Sequence, residues 1–307
     1  MKDRKNIAKI FVILIGVFLL TGCTKQLEDK NSKVVTNPTT GQSLTENILC
    51  QPEDEEVRKL YIDNNKNIDE LPVCKNFSIG SGGYDGLWSS GIVKPLAWVI
   101  IQLGNIFKDY GIGLIITSLI IRLIAYPLTR KTAMQSELMK DAKPELDRLE
   151  KKYQGKTDQA SMMKKSNEMA MIYKKYNINP ISGCLFAFIQ IPLFIGFLEA
   201  INRVPAIFEE HLLGLQLGTT PFTGIKGGNL LYLVLIIVVG ATTYFSLKMN
   251  SSSNPSDQSM KMMSRFMFFL ILFTSIFMTS ALNIYWITTN LFTVVQNMIV
   301  KMKKEKV

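Results

Sequence analysis

A single histidine and four cysteines in 307 residues leave little from which to build a metal centre. His211 stands beside Glu209 and Glu210 in a polar stretch, a setting in which histidine is ordinarily solvated. No glycine-rich phosphate loop is present, and no Ser/His/Asp set could meet in one pocket. Enzymatic chemistry and a bound cofactor are therefore not expected. Acids are equally scarce in the apolar blocks at 10–20, 110–128, 181–201, 229–247 and 263–300, where Glu199 is the one exception. A small-solute transporter or channel, the alternative weighed here, would call for paired intramembrane carboxylates and repeated halves. Neither is found. The net charge of +10 acquires meaning only when mapped onto the two sides of a membrane, and it does not imply nucleic-acid sequence recognition.

The blocks themselves predict an all-α, multi-pass integral membrane protein. The N-terminus reads as a secretory signal over residues 1–22, with Lys2, Arg4, Lys5 and Lys9 ahead of an apolar core from Ile10 to Leu20. Leu20-Thr21-Gly22-Cys23 then resembles the lipobox of bacterial lipoproteins, in which the cysteine becomes a lipidated N-terminus. That resemblance implies a palmitate-bearing anchor at Cys23 and an extracellular start. Residues 23–86 read as an external polar tether or small irregular cap. Cys50 and Cys74 both fall in it, where a disulfide is chemically permitted but not demanded.

Residues 87–108 hold Trp88, Trp98 and an apolar run of about 13 residues behind Pro95, short for a span of about 20. This predicts an amphipathic helix on the outer surface. Parity agrees. Between Thr129 and Asn179 there are 12 basic and 7 acidic residues, a net +5, which the positive-inside rule assigns to the cytoplasm. One crossing at 110–128 delivers it there.

Segment 131–176 has a helical pattern broken at Gln154-Gly155-Lys156, predicting a cytoplasmic hairpin. Its first arm repeats Met134, Leu138, Ala142, Leu146, Leu149 and Tyr153. The second shows Ala160, Met163, Ala170 and Tyr173, with Met169 and Ile172 alongside. Its many methionines fit either core and lipid packing or an adaptable surface for apolar segments. Further spans are predicted at 181–203 and 229–247. The block from Met263 to Val300 would measure about 57 Å as one helix, nearly twice the apolar thickness. Both its ends are basic, so it must turn back near Thr279-Ser280, giving spans at 263–279 and 281–300 and a cytoplasmic C-terminus.

Arg122 is the most costly residue in these spans. It lies about 4.5 Å past the midpoint of 110–128, where a guanidinium costs about 2.5–3.5 kcal/mol on insertion scales. Snorkelling is the alternative, but Arg130 and Lys131 mark the headgroup level some eight residues further on. An unpaired arginine at that depth needs water. The expected arrangement is a hydrated cleft open to the cytoplasm, lined by Arg122, Gln190, Thr242, Thr243, Ser246, Trp286 and Asn290.

Three runs carry a resemblance across about 87–304. They are Ile121-Arg122-Leu-Ile-Ala-Tyr126-Pro127-Leu128, then Tyr173 to Pro192 with Asn179-Pro180-Ile-Ser-Gly183-Cys184-Leu, and Ala281-Leu-Asn-Ile-Tyr285-Trp286-Ile-Thr-Thr-Asn290 to Gln296. In this order they resemble the YidC family of membrane protein insertases, in its lipoprotein form from Gram-positive bacteria. The resemblance implies an insertase and chaperone of the bacterial cell membrane that receives nascent membrane protein clients, alone or with the Sec translocon and the ribosome. Arg122 would be its groove charge. The chain departs from the family at Phe186, where a proline is usual, around Thr279-Ser280, which lacks another, and at Ser246-Leu247, where glutamine is frequent. A scaffold for sporulation or envelope assembly would share the fold.

Overall fold

The structure, a computed structural model, describes residues 24–64, 66–81, 86–179, 182–250 and 258–304, without the side chains of 182–189, 250, 258–261 and 263. The signal and Cys23 readings, and those on Cys184 and Phe186, lie outside it. Among the described residues ten α-helices follow in order: α1 (Glu55–Asp63), α2 (Lys94–Phe107), α3 (Tyr110–Lys152), α4 (Gln159–Lys175), α5 (Ser182–Asn202), α6 (Pro205–Glu209), α7 (Pro221–Lys226), α8 (Leu231–Asn250), α9 (Gln258–Phe277) and α10 (Ser280–Lys304). A two-residue hairpin pairs β1 (His211–Leu212) with β2 (Leu215–Gln216). Among the described residues, three helical stretches are long and apolar enough to cross a membrane: Ser89–Phe107, Tyr110–Lys152 and Leu231–Met249. Shorter apolar helices run at Gln190–Asn202 and Ser264–Phe277.

Two compact units divide the chain. The first takes the described residues up to Ser118, with Ile191–Leu235 and Ile276–Tyr285. In its N-terminal part, the stretch expected as a polar tether or small irregular cap carries a core of its own. Leu27, Leu44, Ile48, Tyr61 and Ile68 form a buried core, and Cys50 and Cys74 are joined in a disulfide. Asp54 caps α1, its carboxylate accepting from the Glu56 and Val57 N–H groups at 2.8 and 3.1 Å. Sparse apolar residues spread over 40 positions show no periodicity, so a core assembled by turns and a crosslink is invisible to a pattern reading.

This module is bonded to the rest of its unit at four places. The Leu49 N–H donates to the Arg203 carbonyl at 2.7 Å, and Thr220 N–H to the Thr40 carbonyl at 3.0 Å. Asn105 Nδ2 donates to the Lys75 carbonyl at 3.2 Å. The Glu209 carboxylate accepts from Glu53 N–H at 3.0 Å and Asp54 N–H at 3.1 Å. Burial pushes the Glu209 carboxyl above its usual value, against those two N–H groups, which favour its charge.

The segment before α2 also differs from expectation. A π-helical turn, Ser89–Val93, leads directly into α2, so the helical stretch has 19 residues rather than an apolar run of about 13. The pattern reading began at Pro95 and missed the turn ahead of it. Lys108, in the left-handed region at φ 56°, then reverses the chain. The return is close because it is lined with glycine: a Cβ at Gly113 would sit 2.6 Å from the Gly104 nitrogen and the Ile100 carbonyl oxygen. Near the end of α5, Phe197 stacks on Tyr285 with ring centroids 4.5 Å apart. The break between α9 and α10 falls at residues 278–279. There the Thr219 carbonyl accepts from both the N–H (3.0 Å) and the hydroxyl (2.7 Å) of Ser280, satisfying a donor that the first turn of a helix leaves open.

The second unit holds Leu119–Gln190, Ile236–Ser275 and the described residues from Trp286. Here α3 continues without interruption through Pro127 and Pro144 to Lys152, so the first arm of the hairpin is an extension of the apolar helix. Its core is small: Ala142, Leu146 and Ile178, flanked by Leu138, Met139, Met169, Ile172, Tyr173 and Tyr176. The inward face of α4 is therefore 169/172/173/176. The expected Ala160, Met163 and Ala170 are exposed.

Candidate functional site

Each residue expected to line the cleft and described by its side chain belongs to the second unit. Arg122 on α3 is only 6% exposed. It is not without a partner in the structure. The physical reason is the usual one for a buried cation: leaving it uncompensated costs more than holding it in place. On α8, Thr242, Thr243 and Ser246 are buried. Gln190, Trp286 and Asn290 are half-buried. The Asn290 amide Nδ2 donates to the Thr243 hydroxyl at 2.9 Å, joining α10 to α8 directly. The Thr242 hydroxyl turns back onto its own helix, donating to the Val238 carbonyl at 2.8 Å.

Glu199 plays no part in this set. It lies in the first unit, where its carboxylate accepts from Arg203 at 2.7 Å and from the Trp88 indole at 3.1 Å. Arg203 also donates to the Ser89 hydroxyl at 3.2 Å. The acid is consumed locally.

Sequence reasoning missed how far the polar face extends. Thr129, Ser136 and Glu137 on α3, and Thr288, Thr289, Thr293, Gln296 and Asn297 on α10, are all below 9% exposed. The signal was present: 122, 129 and 136 repeat at seven, and 286, 289/290, 293 and 296/297 at three to four, so each set shares one helix face. Polar residues on a buried face of a membrane helix satisfy one another or the backbone. Thr293 donates to the Thr289 carbonyl at 2.8 Å, and Asn297 Nδ2 to the Thr293 carbonyl at 2.9 Å. This polar stripe also explains why α10 is not among the stretches apolar enough to cross by composition alone. Among the described residues there is no group of three or more His, Cys, Asp or Glu that could hold a metal ion.

A family profile described as 60Kd inner membrane protein matches residues 102–306, two-thirds of the chain and all of the polar face. The membrane protein insertase YidC 2 of Listeria innocua is 35% identical over 217 residues, covering 70% of this chain and 72% of that protein. The chain belongs to the YidC family. The membrane protein insertase MisCA of Bacillus subtilis is 33% identical over 216 residues, covering 70% and 79%. The membrane protein insertase YidC of Oceanobacillus iheyensis is 31% identical over 224 residues, covering 70% and 84%. Among solved structures, an active YidC insertase crystallised with its first transmembrane domain resolved superposes with a TM-score of 0.52 at 22% identity. The match takes in 78% of this chain and about half, 51%, of that one, and it supports the shared fold. The YidC profile begins after the disulfide-closed module, so that module lies outside the matched region.

Proposed function

We propose that this protein is a membrane protein insertase and chaperone that receives nascent membrane proteins at the polar face of its second unit. The observation that carries the reading is a buried arginine in the otherwise apolar 110–128 stretch of α3, in the same unit as a hydroxyl- and amide-bearing α8/α10 pair. A polar client tail crossing bare hydrocarbon costs about 2.5–3.5 kcal/mol for each charge near the centre. A fixed cation at Arg122 offsets this for an acidic residue, the attraction being about 4 kcal/mol at 4 Å and an effective dielectric constant near 20. Hydroxyls and amides on α8 and α10 replace water for the tail backbone. The client's own apolar helix supplies the driving force by entering lipid, so neither ATP nor a covalent step is needed.

In this reading Cys23 carries the lipid, and the N-terminus and module lie outside. The basic hairpin and the C-terminus lie in the cytoplasm. Five spans cross, at 110–128, 181–203, 229–247, 263–279 and 281–300, with 87–108 on the outer surface. The exposed methionines of α4, Met162, Met163 and Met171, offer apolar client segments a pliable contact. The ribosome and the Sec translocon are candidate partners on this reading. Photo-crosslinkers placed at 122, 190 and 286 test it. Nascent single-span clients should crosslink at all three sites, and labelling confined to lipid would remove the proposed route.

A further inference from the structure

Two contacts between α3 and α10 share one register. The Thr129 hydroxyl donates to Gln296 Oε1 at 3.0 Å, and the Lys304 ammonium donates to the Glu137 carbonyl at 3.3 Å. Both pairs are separated by 167 residues. Eight residues therefore advance along each helix between them, about 12 Å on either side. Two helices that keep a constant offset run parallel with matched levels. Burial follows the same offset. Ala133 and Val300, an intermediate pair, are 3% and 1% exposed, and the level of Arg122 (6%) is that of Thr289 (3%). Trp286 and Asn290 flank that level on α10.

The seam ends in charge. Lys304 pairs with Asp141, one turn beyond Glu137, while Lys140 pairs with Glu137 and donates to the Met249 carbonyl at the end of α8 at 3.1 Å. The Lys140 ammonium thus lies where a helix C-terminal carbonyl and an acid favour it, and Lys304 meets an acid beside a mid-helix carbonyl. Lys304 belongs to the terminal basic run, yet it is used inside the chain.

We infer that the α3–α10 seam is a fixed wall of the client groove. It stays closed throughout insertion, and Thr129, Gln296, Asp141 and Lys304 act as positioning residues that hold Trp286 and Asn290 at the level of Arg122. A client tail therefore enters and leaves by another side of the bundle. The inference rests on the insertase reading, but its test has a readout independent of activity. In full-length protein in membranes, Thr129→Cys and Gln296→Cys are joined by a short, reducible methanethiosulfonate crosslinker, and the yield is measured without client. Lys304→Glu should lower that yield and client insertion about fivefold, the scale of a lost, partly exposed ion pair. Adding Asp141→Lys should restore both. The joined Thr129/Gln296 variant should insert clients as well as its reduced form. A lock that blocks insertion until reductant is added would show that the seam must part. Failure of Asp141→Lys to rescue Lys304→Glu would show that Lys304 serves something outside the chain. Either result overturns the inference. If the unsubstituted protein inserts no client at all, the insertase reading fails instead, and the crosslink yield alone still decides the seam.

Discussion

The N-terminal module and the hairpin of α3 and α4 are both small, both polar in sequence, and held together in opposite ways. The module closes a five-residue apolar core with a disulfide across 24 positions. The hairpin has an apolar cluster of three buried residues, Ala142, Leu146 and Ile178, and adds surface charge. Lys152 pairs with Glu168, and Lys165 with Glu150, each at 2.7 Å, while Lys175 pairs with Glu145. Tyr153 and Tyr176 donate to Glu168 and Glu145 at 2.8 and 2.9 Å. Exposed ion pairs contribute little each and are screened by salt. A covalently closed module keeps one shape, whereas weak charge pairs leave a hairpin able to yield, as the proposed client contact requires.

The largest expected effect separates the two cores directly. Leu146→Ala should remove about 3 kcal/mol from a hairpin whose apolar cluster has only three buried members, and limited proteolysis should then cut between 150 and 176. Ile48→Ala, a comparable loss in the module, should leave residues 24–81 resistant under oxidising conditions, because the disulfide still restrains the unfolded chain. Opening that disulfide by Cys50→Ser with Cys74→Ser should lower module stability by about 3 kcal/mol, read as earlier protease cleavage near 50–74 and no change in the hairpin. An unaltered digestion pattern would mean the core needs no staple.

Acid should act on the hairpin at the next level. Hydrogen bonds from Lys175 and Tyr176 hold Glu145 below its usual 4.5, and those from Lys152 and Tyr153 do the same for Glu168. A depressed carboxylate contributes above its unfolded value and loses that contribution as pH falls through the folded one. Protease resistance of the hairpin should therefore hold from pH 7 to 5 and decline below about 4.5. Rising salt should weaken it at neutral pH. The smallest effect concerns the outer face of α4. Replacing Met162, Met163 and Met171 by serine should change hairpin stability by less than about 0.5 kcal/mol while lowering crosslinking to apolar client segments. Unfolding of the hairpin instead would assign those side chains to packing.

Much of the membrane architecture could be read from the sequence because hydrocarbon imposes long, simple patterns: apolar blocks, basic flanks, and a 38-residue run too long to leave unbroken. Arg122 and the α8/α10 polar residues stood out because each violates its block. The module was opaque, since neither the pairing of Cys50 with Cys74 nor a core gathered from turns leaves a periodic trace. The second arm of the hairpin was misfaced for a related reason: α4 has apolar residues on several sides, and only the partner surface chooses among them. Thr129 and Gln296 were overlooked because each, taken singly, is an ordinary polar residue near a helix end. Only their common register with Glu137 and Lys304 gives them a role.

Replacing Arg122 itself tests the central claim most directly. Insertion should be measured for paired clients that differ only in whether the translocated tail is acidic or neutral. Arg122→Ala should abolish insertion of the acidic-tail client and spare much of the neutral one, while Arg122→Lys keeps part of the acidic-tail activity. Equal insertion of both clients by the alanine variant and the unsubstituted protein would contradict the account.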